Sequence, residues 1–155
     1  MQECDIKRFT PEAKAAVETK LGRIVYPTAK SEIAVNPQGF YSPDTNNKTM
    51  EEHREMNEDD TQRLRAEAGT DGFLKRLGEY DEVVGAYNAH LHATGQRLIQ
   101  KYDLSHVRTK TPVTNDPTRT ICVGDPTDSA GITSVEAKKE DRYLTIYLAD
   151  LIFPA

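Results

Sequence analysis

The stretch from Thr70 to Tyr102 most constrains the fold, because it is proline-free and sustains a helical hydrophobic period. Leu77, Val84, Leu91 and Leu98 recur every seven residues, and Phe73, Tyr80, Tyr87 and Thr94 form a second seam. At about 100° per residue the two seams merge into one apolar stripe. Thr70 or Asp71 supplies a cap at the start, and Lys101 places a cation in the last turn. The spacing predicts one long helix over about 70–102.

The opposite side of that helix carries Gly78, Gly85, Ala86, Ala89, His92 and Ala93. Each helical glycine costs about 1 kcal/mol against alanine, so the glycines weaken the helix unless another backbone packs closely on them. Length sharpens the point. At 1.5 Å per residue the stretch spans roughly 45–50 Å, whereas a 155-residue domain is roughly 40 Å across. Either the helix breaks near Gly85 or Gly95, or one end reaches a partner.

The rest of the chain reads as α+β in a single domain, 1–155. Shorter N-terminal helices begin at Thr10-Pro11-Glu12, a cap followed by a first-turn proline, and at the Thr49–Glu52 capping box. Between them, Arg23–Tyr26 and Glu32–Val35 suit a hairpin. The segment 36–48 is turn chemistry around an aromatic pair, Phe40 and Tyr41, expected to anchor the loop or to meet a partner. Residues 109–114 are a further extended candidate. Strand candidates at Thr118–Val123, Gly131–Glu136 and Arg142–Ala149 suggest a small antiparallel meander in the C-terminal third, on which the long helix packs. The two Asp-Pro-Thr copies, at Asp116 and Asp125, read as turns flanking the first of these strands. The tail Leu151-Ile152-Phe153 is too apolar to stay in water and is expected to close the core or dock on a neighbour.

Chemistry is harder to find. There is no phosphate-binding glycine loop, no H-E-x-x-H, no G-x-S-x-G and no C-x-x-C. His90 and His92 point to different sides of a helix and cannot share a metal. His92-Ala93-Thr94 matches the H-x-T element of two-histidine phosphoesterases, but that chemistry needs a second copy, and none exists. Cys122 between Ile121 and Val123 reads as a strand cysteine; pairing it with His106 and Asp125 as a thiolate site lacks an electropositive setting. Cys4 and Cys122 are too few for a disulfide framework. No cofactor or metal is expected.

Composition narrows the partners. The net charge of −5 disfavours nucleic acid. No apolar run is long enough for a membrane span or a signal peptide, so a cytoplasmic protein or a virion component is expected rather than one exported by a signal. Glu51, Glu52 and Glu55 give the second helix an acidic start. The resulting expectation is a non-enzymatic structural or assembly protein, a subunit of a homo-oligomer or of a larger complex such as a virion. The alternatives are a small acidic adaptor or inhibitor that binds another protein, and an enzyme whose site has no recognisable spacing. The candidate contact residues are Phe40, Tyr41, Glu51, Glu52, Glu55, Gly78, Gly85, Ala89, Ile152 and Phe153.

Overall fold

The computed structural model describes residues 6–99, 104–124 and 132–155. Three helices and two four-stranded sheets make up the described fold, which is α+β. Helix α1 (Pro11–Thr19) starts where Thr10 accepts the Ala13 amide. Strands β1 (Ile24–Pro27) and β2 (Glu32–Val35) form the antiparallel hairpin expected from the sequence. Helix α2 (Met50–Ala68) opens on the Thr49–Glu52 capping box and stops at Gly69, whose φ of 74° is left-handed.

The long helix over 70–102 does not form. Residues Phe73–Leu74 are strand β3, and helix α3 covers only Tyr80–Thr94. Glu79 caps its start, and Gly95, with a φ of 72°, ends it. The heptad was a coincidence of three environments. Leu77 lies before α3 and packs with Met50 and Leu148. Leu98 lies after it, in the cluster of Tyr87 and Val107. Lys101 and Tyr102 lie outside the described residues, as do Cys4, the Asp125-Pro126-Thr127 turn and Gly131.

Strands β4 (His106–Val113), β5 (Asp116–Gly124), β6 (Thr133–Lys138) and β7 (Ile146–Tyr147) make the second sheet, in the order β6-β5-β4-β7. Its antiparallel meander is therefore β4-β5-β6, one strand earlier than expected. The stretch 142–149 supplies only β7, which runs parallel to β4. The last strand, β8 (Leu151–Pro154), leaves this sheet and pairs with β2 and β3, giving β1-β2-β8-β3.

Helix α3 lies against both sheets. Its Val83, Ala86 and Tyr87 share one core with Ile33, Val35, Leu151 and Phe153 of the first sheet and Val107 and Val123 of the second. Strand alternation then divides β8: Leu151 and Phe153 face α3, whereas Ile152 faces α1 and the end of α2 through Ala13, Val17 and Leu64. Being covered on both faces is what makes the Leu151-Ile152-Phe153 run continuously apolar.

Candidate functional site

Helix α2 buries an unusual stripe. Its inward residues are Met50, His53, Asn57, Thr61, Leu64 and Ala68, half of them polar. Two of the polar members, Thr61 and His53, face different structures. The Thr61 hydroxyl donates to the Asn57 carbonyl and accepts the Lys75 amide at 2.8 Å, which ties α2 to the chain beyond β3. His53 meets β4: Arg108 donates its Nε–H to His53 Nδ1 at 3.2 Å, and His53 Nε2–H donates to the Thr45 carbonyl at 2.7 Å. Those two bonds define a neutral ring protonated on Nε2. Burial holds His53 below its ordinary value, and the adjoining Arg108 charge acts the same way.

Arg108 itself is fully withdrawn from solvent. Its other bonds go to main-chain carbonyls of Lys48, Lys138 and Asp141, at 3.3–3.5 Å. Across the ladder sits Cys122, also buried. Burial pushes the Cys122 thiol up to about 11, outweighing the neighbouring guanidinium. A nucleophilic thiolate needs the reverse, so this His–Arg–Cys cluster is a structural junction.

A second charged group lines a cleft of about 360 Å³ between α2, β3 and the start of β8. Asp150 pairs with Arg23 at 2.7 Å and with Lys75 at 3.5 Å, and accepts from Asn36 at 3.0 Å. Burial works to raise the Asp150 carboxyl, but Lys75, Arg23 and Asn36 outweigh it and hold it below the usual carboxylate range. Lys75 also pairs with Asp60 at 3.1 Å and lies 3.5 Å from Ser42 Oγ. Charge is satisfied within the group.

The third is Glu82, buried at the first turn of α3. Arg76 reaches it with both terminal nitrogens, at 3.0 and 2.9 Å, and Ser31 and the Glu79 amide complete its bonds. Burial alone would raise this carboxyl; the Arg76, Glu79 and Ser31 contacts bring it down. Among the described residues, no group of three or more His, Cys, Asp or Glu is placed to hold a metal ion.

The contact residues expected from the sequence scatter. Phe40, Ile152 and Phe153 are fully buried, so they build the chain's own core instead of a surface. Phe40 stacks edge-on against Tyr87, and Tyr41 donates to the Ser105 carbonyl while its ring packs on Tyr147. The aromatic pair thus pins its loop between the sheets. Gly78 precedes α3 and is enclosed by Val83 and Phe153. Gly85 faces Thr28 of the β1–β2 turn, at 3.3 Å from an added Cβ, and Ala89 is half-buried. The close approach that the small face calls for is met by the same chain. Glu52 is used in the capping box and pairs with Arg142 at 2.9 Å, which leaves Glu51 and Glu55 exposed.

The surface feature that periodicity missed is a leucine pair. Leu104 and Leu144 are 71% and 70% exposed. They precede His106 and Ile146, which pair in parallel register, so both stand at one end of the β4–β7 ladder. The strand candidate over 142–149 did not mark this surface. Compared with known proteins, the chain matches no family model, no curated protein and no solved structure.

Proposed function

We propose that the chain is a non-enzymatic structural or assembly protein, a subunit of a homo-oligomer or of a larger complex such as a virion. The exposed pair Leu104 and Leu144 carries this reading. Covering a leucine fully gains roughly 1.5–3 kcal/mol, so two at one ladder end favour a partner surface there. The charged clusters support it from the other side, since each is internally paired around a carboxylate or a neutral histidine. An acidic total charge speaks for a protein partner over nucleic acid, and no helix among the described residues is long and apolar enough to cross a membrane. The test is the double variant Leu104→Ser, Leu144→Ser in sedimentation velocity. Its assembled fraction should fall while its melting temperature stays within a few degrees; unchanged assembly removes this surface.

A second reading, a small acidic adaptor, is favoured by the exposure of Glu51, Glu55 and Glu58 on one stretch of α2. A test of it should reverse Glu51 and Glu55 and spare Glu52, whose loss would also uncap the helix. Undiminished binding to a basic partner surface after that reversal removes the face.

A further inference from the structure

Four sheet edges exist among the described strands; the chain itself covers two of them, and a third is short. Along β3, helix α2 supplies the cover: Arg65 Nε–H donates to the Phe73 carbonyl at 2.8 Å, and Thr61 takes the Lys75 amide. Beside β7, the 42–46 loop does so, with the Ser42 amide on the Leu148 carbonyl at 2.8 Å and Asn46 on the Leu144 carbonyl at 2.9 Å. Strand β1 is four residues long and ends at Pro27, which has no N–H to offer.

Strand β6 is different. The Lys139 amide bonds to the Thr118 carbonyl at 2.9 Å, which places Lys139 at a hydrogen-bonded position facing β5. Main-chain direction alternates along an antiparallel strand. Thr133, Val135 and Ala137 therefore turn their N–H and C=O groups towards β5, whereas Ser134, Glu136 and Lys138 turn theirs outward. Tyr143 caps the last of these, accepting the Lys138 amide at 3.0 Å, and Arg108 and Asp141 take its carbonyl. The outward groups of Ser134 and Glu136 meet no partner among the described residues. Between them stands Val135, 40% exposed.

We infer that β6 is a self-complementary edge that pairs antiparallel with β6 of a second copy across a two-fold axis at Val135. This inference rests on the assembly reading above and names its partner. Ser134 of one copy lies opposite Glu136 of the other, so each free N–H meets a free C=O and the two outward residues of both copies are used completely. The register with Glu136 opposite Glu136 sets like charges face to face, and the register with Lys138 opposite Glu136 is closed by Tyr143. Val135 then meets its twin in a non-hydrogen-bonded pair, where side chains approach most closely. The four-stranded sheet becomes a continuous sheet of twice that size.

Two variants test this. Glu136→Pro deletes an outward N–H that makes no bond within the chain, so the fold keeps its ladder while the edge loses a donor. Light scattering should show the dimer dissociation constant rising at least tenfold. Val135→Cys, made with Cys4→Ser, leaves the main chain untouched and sets two thiols at a spacing that a disulfide spans. Mild oxidation should give a covalent dimer, and Lys138→Cys in the same background should not. If the wild-type chain associates but Val135→Cys fails to cross-link, the β6 pairing is overturned while assembly through another surface stands. A wild-type chain that stays monomeric at every concentration overturns both the β6 pairing and the homo-oligomer reading.

Discussion

Arg108 and His53 are joined by a 3.2 Å hydrogen bond from guanidinium to neutral imidazole, with no solvent on either side chain. The bond fastens the start of α2 to the middle of β4, two elements far apart in the chain. Removing Arg108 strands His53 Nδ1 and the Lys48 carbonyl together and empties the volume of a fully buried side chain. Each buried group left unpaired costs about 1–3 kcal/mol. Arg108→Ala should therefore lower unfolding free energy by about 3 kcal/mol or more in urea titrations, and Arg108→Lys, which lacks the fork, should recover little of it. A loss below 0.5 kcal/mol, on the order expected for a surface residue, would mean that the junction contributes nothing.

The same junction makes stability depend on pH. His53 is held below its ordinary 6.5 by burial and by Arg108, and His90 is lowered by burial as well. As pH falls below about 6.5, the unfolded chain takes up these protons first. Stability is thus complete above that pH and declines as pH drops through the interval down to the folded-state values. Urea midpoints measured at pH 7.5 and 5.5 should differ in that direction, and His53→Gln should narrow the gap. A midpoint that rises on acidification would contradict the assignment of a neutral ring.

Cys122 should be inert in the folded chain. With its thiol buried and pushed up to about 11, alkylation at pH 8 in a Cys4→Ser background should proceed only as fast as the protein opens, and should become rapid in denaturant. Fast labelling under native conditions would place this thiol at the surface.

Gly124 is required by close approach of backbone. A Cβ there would lie 2.3 Å from the Ser105 carbonyl oxygen and 2.8 Å from His106 Cα, neither of which is a side chain able to swing away. Gly124→Ala should displace the β4–β5 register at its end and lower the melting temperature by several degrees. Gly39→Ala, with open space around it, should leave the melting temperature nearly unchanged.

How much of this was legible in sequence depended on the range of the interaction. Thr10, Thr49, Glu52 and Gly95 act within a turn of their own position, and the helix ends they mark are where local chemistry puts them. The β1–β2 hairpin is equally local. What failed was the heptad from Leu77 to Leu98, because buried leucines before and after α3 fall on its period by chance. Helix α2 hid its inner stripe in the opposite way: His53 and Thr61 are polar, yet are buried because Arg108 and Thr45 reach the first and Lys75 the second. Departure of β8 to the first sheet left no local mark beyond the apolarity of Ile152 and its neighbours. The leucine pair and the free edge of β6 emerged only once strand order was known, since both depend on which neighbours a strand lacks.

The most direct measurement is the solution mass of the wild-type chain by light scattering across a hundredfold range of concentration. If the chain is an assembling subunit, the mass rises above the monomer value of 17.4 kDa as concentration increases, and the Glu136→Pro and Leu104→Ser, Leu144→Ser variants shift that rise to higher concentration. A mass fixed at 17.4 kDa throughout would contradict self-assembly outright.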